Sequence, residues 1–284
     1  MKKRCLNYTV VKSLITFLLL VHFLSASTFV KAKVQLPSIL SSNMVLQQHT
    51  NVKLWGKAQK NSPITIKTSW DNKTYKTIAD KQGKWLLNIS TPVAGGPYEI
   101  TFNDGELLTL KNILIGEVWF CSGQSNMEMP MSGFDRQPTQ GTNDVIAKAK
   151  ASTPIRIYNT DSKDGKWIRQ FSKTPEEDCK GEWLENTPVN VSHTSATAYF
   201  FAQYLQEVLE VPVGIIISSL GGSKVEAWMS REAITPFKSI DLSILNNNEP
   251  IKNITATPCV LYNSKIAPLT NFTIKDFLWY QCES

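Results

Sequence analysis

Residues 113–120 read Ile113-Leu114-Ile115-Gly116-Glu117-Val118-Trp119-Phe120, and this nearly continuous apolar run leads directly into Cys121-Ser122-Gly123-Gln124-Ser125. Two later runs, residues 213–217 and 277–280, have the same composition. Such runs are typical of parallel strands that are covered on both faces. A helical period over residues 198–209 lies between the first run and the second. Strands that alternate with helices predict an α/β layer built on a parallel sheet.

The predicted helix has recognisable ends. Thr194 or Ser195 is available as N-cap, and Pro212 stands just beyond the last periodic residue. The aromatic residues 199–201 are most simply interpreted as core packing. The apolar positions at helical spacing are Ala198, Phe201, Ala202, Leu205, Val208 and Leu209.

The segment before residue 111 has a different pattern. Short alternating stretches, such as residues 52–55 and 64–67, are separated by turn signals, among them Asp80-Lys81-Gln82-Gly83 and Asn103-Asp104-Gly105. This alternation is typical of antiparallel strands, and it predicts a small all-β sandwich.

The basic charge of the chain is concentrated at its start. The formal charge is +6, from 30 basic and 24 acidic residues, but five basic residues and no acidic one precede position 33. Without those five, 25 basic residues face 24 acidic ones, so about +1 remains and neither nucleic acid nor an anionic membrane is an expected partner. The five are Lys2, Lys3, Arg4, Lys12 and Lys31.

The same segment has the pattern of a secretory signal peptide. A basic start and an apolar run over residues 14–24 are followed by the small-residue pattern Val30-Lys31-Ala32. The run of about 11 residues is shorter than the roughly 20 that a spanning helix needs, which disfavours a membrane anchor. We therefore expect export to the periplasm or the extracellular space. The predicted segments are a signal peptide over 1–32, the β-sandwich domain over 33–111 and the α/β domain over 112–284.

Cys5 falls in the predicted signal peptide, and four cysteines follow it: Cys121, Cys179, Cys259 and Cys282. An even number is compatible with disulfides in an oxidising compartment. Their spacing matches no zinc pattern. Three pairings can be drawn, and the sequence does not choose among them.

Ser125 is the candidate nucleophile, because it follows the first apolar run through Gly123. Residues at this place lie at the carboxyl end of a parallel strand, where α/β sheets form their ligand sites. Glycine allows a tight turn, and backbone N–H groups at a helix amino end favour negative charge on an attacked ester oxygen. A plain helix N-cap is the competing interpretation. Met127 stands where the Gly-x-Ser-x-Gly elbow of α/β-hydrolases has its second glycine, which excludes that motif.

Ser218-Ser219-Leu220-Gly221-Gly222-Ser223 follows the second apolar run, so both loops are predicted at the same rim of the sheet. Gly221 and Gly222 could direct a backbone N–H into a shared pocket as an oxyanion donor, although an ordinary turn explains them equally well. Gly222-Ser223-Lys224 lacks the Gly-Lys-Ser/Thr order of a phosphate loop, which disfavours a nucleotide. We expect no metal and no cofactor.

A serine nucleophile needs a general base, normally histidine. The sequence has three histidines: His22 in the predicted signal peptide, His49 in the β-rich segment and His193. His193 is the remaining candidate, but a solvated loop residue ahead of a helix is the simpler interpretation. We therefore expect the general base to lie outside these 284 residues.

Several stretches resemble the sialate O-acetylesterases, which are SGNH-type hydrolases. Gly116-Glu117-Val118-Trp119-Phe120-Cys121-Ser122-Gly123-Gln124-Ser125-Asn126-Met127-Glu128 looks like their first block, and residues 219–229 resemble the second. Residues 261–269 and 279–281 resemble the approach to the third. The resemblance implies a three-layer α/β fold and hydrolysis of O-acetyl esters of sialic acid or a related sugar. It also implies Ser125 as nucleophile and the Gly221-Gly222 turn as oxyanion donor.

The chain departs from the family pattern in its last residues. The third block of the family runs Trp-Tyr-Gln-Gly-Glu-Ser-Asn, whereas Cys282 replaces that glycine here and Ser284 is the last residue. The fourth block, Asp-x-x-His, is not among the 284 residues, so we expect this chain to be inactive by itself. Lys265 and Asp276 are also atypical. We further expect the last run to form an apolar sheet edge that is prone to association.

Two other functions remain open at this point. An exported glycosidase would need two cooperating carboxylates, and Glu128, Glu226 and Glu283 are scattered. A non-catalytic carbohydrate-binding protein would use exposed aromatic residues in the β-rich segment, such as Trp55, Trp70 and Trp85.

Overall fold

The computed structural model describes residues 33–163 and 166–281. The predicted signal peptide over 1–32 therefore lies outside the described residues, as do Cys282, Glu283 and Ser284. The described residues form one compact unit. None of the helices in the described ranges is long and apolar enough to cross a membrane.

The order of the elements agrees with the sequence pattern: the first seven elements are all strands, and helices and strands are mixed from Ser125 onward. The strands are β1 (Val45–Gln47), β2 (Asn51–Lys57), β3 (Pro63–Thr68), β4 (Thr74–Ile78), β5 (Lys84–Ser90), β6 (Gly95–Asn103), β7 (Leu107–Gly123), β8 (Ile155–Asn159), β9 (Ser162–Lys163), β10 (Lys166–Trp167), β11 (Glu182–Glu185), β12 (Val213–Ser219) and β13 (Asp276–Tyr280). The α-helices are α1 (Ser125–Glu128), α2 (Thr142–Lys148), α3 (Pro188–Ser192), α4 (Ala196–Leu209) and α5 (Arg231–Ile234). Short 3-10 or π turns cover Val225–Trp228, Ser243–Asn246, Tyr262–Ile266 and Ala267–Leu269.

The later strands form a parallel sheet in the order β8-β12-β7-β13, with β11 antiparallel beside β8. Strand β12 is buried along its whole length, as its apolar sequence predicts. In the register of this sheet, Ser219 at the end of β12 is opposite Gly123 at the end of β7. The predicted α/β fold class is therefore confirmed.

Strand β7 belongs to both halves of the chain. Its first part pairs antiparallel with β6, and its last part pairs parallel with β12 and β13. The antiparallel strands expected from alternation are present, with β3 between β4 and β6 and with β2 paired to β5. The predicted boundary at residues 111/112 falls inside β7, so a separate sandwich domain stays a prediction.

Helix α4 matches the predicted helix, and its cap resolves to Ser195, whose hydroxyl oxygen accepts a backbone N–H bond at 3.2 Å. Tyr199 is buried as expected, whereas Phe200 is 39% exposed. Val208 and Leu209 are also exposed. The core interpretation is therefore wrong for these three side chains. Phe200 lies outside the set of positions at helical spacing, and Val208 and Leu209 belong to the last turn of the helix.

Strand β13 is parallel to β7, as predicted, but it is not covered on both faces. It is an outer strand within the described residues, and Phe277 is 60% exposed, with Trp279 and Tyr280 also exposed. The expected apolar sheet edge is therefore present.

Three of the four later cysteines fall in the described residues, and each is a free, buried thiol: Cys121, Cys179 and Cys259. Burial raises the pKa of the Cys121 thiol and raises that of Cys179 to about 12, so both stay protonated at neutral pH. No disulfide therefore joins any two of these three.

Candidate active site

The turn that presents Ser125 depends on Gly123. Its φ of +143° is strained for any other residue, and a Cβ here would lie 1.9 Å from the carbonyl oxygen of Tyr280. The amide of Gln124 donates to that same oxygen at 3.0 Å. The turn before Ser125 is thus supported by the end of β13, and the expected need for glycine has a specific steric cause.

Ser125 is the first residue of α1, a single helical turn. Glu128 N–H donates to Gln124 O and Met129 N–H donates to Ser125 O, both at 2.8 Å. Met127 is buried, whereas Ser125 is only half-buried. The turn therefore packs Met127 into the core and leaves Ser125 at the rim of the sheet.

The second loop begins at the same rim. The Ser122 hydroxyl donates to Ser218 O at 2.6 Å, which joins the ends of β7 and β12. Leu220 N–H then donates to Gly123 O at 3.1 Å. The prediction that both loops lie at one edge of the sheet is confirmed, as expected for neighbouring parallel strands.

The backbone of Gly221 faces Ser125. A Cβ at residue 221 would lie 3.6 Å from Ser125 Cβ and 2.7 Å from the Glu128 carboxylate. Gly221 N–H donates to Glu128 Oε2 at 2.5 Å, so this amide already binds an anionic oxygen beside Ser125. Gly222 has a left-handed φ of +68°, and its N–H forms no hydrogen bond with the described part of the chain. The oxyanion roles of Gly221 and Gly222 stay predictions.

A cavity of about 310 Å³, within the size range of small-molecule sites, is lined by Glu128 and by Leu220, although Ser125 and Gly221 are not among its lining residues. It combines four ionisable side chains with apolar and amide groups, and its lining residues are Glu128, Asp161, Ile168, Arg169, Gln170, Leu220 and Lys265. Among residues 33–163 and 166–281, no group of three or more His, Cys, Asp or Glu side chains is arranged to hold a metal ion.

Sequence reasoning did not identify Asp161, a charged residue that lines this cavity. Its carboxylate pairs with the ammonium of Lys265, and both side chains are buried. Burial raises the pKa of Asp161, and the positive charge of Lys265 offsets part of that effect. The available signal was the position of Asp161 just after β8, at the carboxyl end of a parallel strand.

Neither described histidine forms a hydrogen bond with Ser125. His193 is exposed at the end of α3, in the loop ahead of α4, as predicted. The carbonyl groups of its two neighbours accept N–H bonds from Met131 and Ser132, so its backbone lies beside the chain that follows α1. His49 lies between β1 and β2. Gln47, at the end of β1, is paired with Gly116, whereas Gly123 and Ser125 lie at and just beyond the other end of the parallel part of β7.

A larger cavity of about 590 Å³ lies beside β2 and β5, and its lining includes neither Ser125 nor Glu128. Trp85 lines this cavity but is buried, and its indole ring packs against Phe102. Trp55 and Trp70 are half-buried. The expectation that these tryptophans are exposed for carbohydrate binding is therefore wrong for Trp85.

No family model matches the chain. Sialate O-acetylesterases from Rattus norvegicus, Pongo abelii and Homo sapiens are each 26% identical to it over 87% of its length. The matched regions cover 51%, 48% and 48% of those proteins, so the chain spans about half the length of the curated relatives that it matches.

The fold is also similar to that of a solved structure. A carbohydrate acetylesterase from Xanthomonas citri superposes with a TM-score of 0.74 at 30% identity, and the match covers 88% of this chain and 52% of that one. The chain is thus a distant relative of the sialate O-acetylesterases, which confirms the resemblance read from its sequence.

Proposed function

We propose that this distant relative of the sialate O-acetylesterases is a carbohydrate esterase that removes O-acetyl groups from sialic acid or a related sugar, with Ser125 as nucleophile. The observation that carries the proposal is the proximity of Ser125 and Gly221 just beyond the paired ends of β7 and β12, where a Cβ at residue 221 would lie 3.6 Å from Ser125 Cβ. The names of the sialate O-acetylesterases and of the carbohydrate acetylesterase support the substrate class.

The proposed reaction is acyl transfer in two steps. Ser125 Oγ attacks the acetyl carbonyl carbon, its proton passes to a base, and the sugar hydroxyl leaves with a proton. Water then hydrolyses the acetyl-serine and releases acetate. Backbone N–H groups of the Gly221-Gly222 turn would stabilise the tetrahedral oxyanion in both steps.

No histidine among the described residues is positioned to act as the general base for Ser125. Without a proton acceptor, a serine hydroxyl is a poor nucleophile near neutral pH. Since neither His49 nor His193 forms a hydrogen bond with Ser125, we propose that the 284 residues alone turn over substrate no faster than their Ser125→Ala variant. An external base such as imidazole should then restore part of the first step.

We also propose that the chain acts after export to the periplasm or the extracellular space. Export depends on residues 1–32, which have the composition of a signal peptide. Expression of the chain with and without this segment, followed by fractionation, tests the idea. Equal export of both forms would contradict it.

The activity is tested by acetate release from O-acetylated sialic acid and from an acetylated neutral sugar, with and without imidazole. We expect release above the Ser125→Ala background only when imidazole is present. Ser132→Ala, which changes an exposed serine in the nearby loop, should behave as the unsubstituted chain. Equal release by the chain and its Ser125→Ala variant under all conditions would contradict the proposal.

A further inference from the structure

Lys265 is a buried lysine in the wall of the cavity that Glu128 and Leu220 also line. It lies in the turn Tyr262–Ile266, and only 1% of its surface is exposed. An ammonium group is seldom buried this completely unless its charge is paired and its donors are used. The structure supplies an anionic carboxylate, a carbonyl oxygen and an aromatic face for it.

These three partners come from separate elements. The ammonium forms an ion pair with Asp161 and donates to Ser219 O at 2.9 Å. It also lies 5.4 Å from the ring centroid of Trp228, within the range of a cation–π contact. Lys265 thus joins the segment after β8, the end of β12 and the turn Val225–Trp228.

Two of the partners flank the double-glycine turn, which we define as residues 220–223. Ser219 immediately precedes it, and its carbonyl is held directly by Lys265. At the other end, the Trp228 indole N–H donates to Ser223 Oγ at 2.8 Å, and that hydroxyl donates back into the turn at 2.6 Å. The Lys265 ammonium group therefore contacts Ser219, which precedes the turn, and Trp228, which binds the last residue of the turn.

The ion pair itself does not explain why a lysine is present. Burying two charges costs desolvation free energy, and well-packed apolar side chains are often tolerated in place of such a pair. The hydrogen bond to Ser219 O is different, because it has a direction and an apolar side chain cannot replace it. Asp161 holds the ammonium in place for that bond.

We propose that Lys265 is a positioning residue that sets the orientation of the double-glycine turn, and hence of the Gly221 amide, toward the acyl oxygen at Ser125. The proposal rests on the proposed acetylesterase function for its purpose. The orientation itself is a property of the turn, and it can be measured without any turnover.

The test uses the 284-residue chain labelled with ¹⁵N-glycine and measures amide hydrogen exchange by NMR. Lys265→Met leaves Asp161 buried without its partner and could fail to fold, so the decisive variant is Lys265→Met with Asp161→Leu, which removes both charges. Lys238→Met is the matched control, since it removes an exposed lysine. Gly214 in β12 reports on the sheet itself.

We expect Gly221 to exchange at least about tenfold faster in the double variant, with Gly214 and the Lys238→Met variant unchanged. Unchanged Gly221 exchange in a folded double variant would overturn the positioning role. Equal acceleration at Gly214 would also overturn it, because that result indicates general loss of stability.

An activity measurement separates this proposal from the proposed function. Where imidazole supports Ser125-dependent acetate release, the double variant should lower kcat while KM changes less than about twofold, since the turn acts on the transition state. A change confined to KM would contradict the positioning role. If the unsubstituted chain releases no Ser125-dependent acetate, the proposed function fails, while the exchange of Gly221 still decides the role of Lys265.

Discussion

The amide of Gly221 donates its hydrogen bond to the carboxylate of Glu128, with the two atoms 2.5 Å apart. The same backbone lies against Ser125, because a Cβ at residue 221 would be 3.6 Å from Ser125 Cβ. An oxyanion that forms on an acyl group at Ser125 must therefore take this amide from Glu128. The Glu128 side chain competes for the position that the proposed reaction needs.

Replacing Glu128 by alanine should free the Gly221 amide and raise Ser125-dependent acetate release in imidazole by about tenfold, within the range expected for a hydrogen bond to a charged group. Glu128→Gln should fall between alanine and the unsubstituted chain, since its amide oxygen still accepts a hydrogen bond. Glu232→Ala, an exposed substitution elsewhere, is the control. A lower rate for both variants than for the unsubstituted chain would show that the carboxylate assists the reaction.

Gly123→Ala should be strongly destabilising, since its Cβ would overlap the carbonyl oxygen of Tyr280 at 1.9 Å. Gly105 separates strain from overlap: its φ is +115°, but a Cβ there meets no atom within 4 Å. Gly105→Ala should therefore cost about 1–3 kcal/mol of unfolding free energy, and Gly123→Ala distinctly more. Urea unfolding measures both, and equal losses would show that the overlap is relieved by a small backbone shift.

Glu177 links the β-rich strands to the later part of the chain. Hydrogen bonds from Lys57 and Lys84 lower its pKa from an ordinary 4.5 to about 2. A lowered carboxylate pKa stabilises the folded state above pH 4.5, and this contribution disappears as pH falls toward 2.

Because Glu177 is exposed, its contribution should stay below about 1 kcal/mol. Glu177→Gln should thus lower the unfolding free energy slightly at pH 6, and the difference from the unsubstituted chain should shrink as pH falls to about 3. Glu232→Gln, at an exposed glutamate without an ion pair among the described residues, is the control substitution. Denaturant titrations across this range provide the measurement, and a difference that grows on acidification would refute the account of this ion pair.

The outer strand β13 should drive association. Phe277 is 60% exposed on a strand that has only β7 as a neighbour among the described residues. Exposed apolar strand edges favour pairing with other chains. Phe277→Lys should therefore reduce concentration-dependent association in sedimentation velocity, whereas Leu107→Lys, at a residue 67% exposed in the β-rich part, should change it little. Comparable effects of both substitutions would point to nonspecific apolar contact.

The features that could be predicted from the sequence are those encoded locally. The apolar run of β12 and the small residues after it predicted a buried strand followed by a loop. Since ligand sites of parallel sheets form at the carboxyl ends of the strands, both loops were expected at the same rim of the sheet. Strand β8 was not recognised, because Arg156 interrupts its apolar pattern. The structure explains this residue by burial of the guanidinium group and an ion pair with Glu185 at 3.4 Å.

Two other features depend on contacts between distant residues. Asp161 and Lys265 are 104 positions apart, and no local pattern connects them. The change of pattern near residue 113 was interpreted as a domain boundary, yet β7 continues through it. At that point the strand that pairs with β7 changes from β6 to β12. The pattern of apolar residues changes with the neighbouring strand, although β7 itself is continuous.

The central claim, that Ser125 is the acyl acceptor beside the double-glycine turn, is tested most directly by peptide mass spectrometry. The chain is treated briefly with 4-nitrophenyl acetate in the presence of imidazole, quenched in acid and digested. The account predicts an acetyl group on Ser125, little on the exposed Ser132, and loss of the Ser125 label when the chain is unfolded before treatment. Equal acetylation of Ser125 and Ser132, or labelling of Ser125 that survives unfolding, would contradict it.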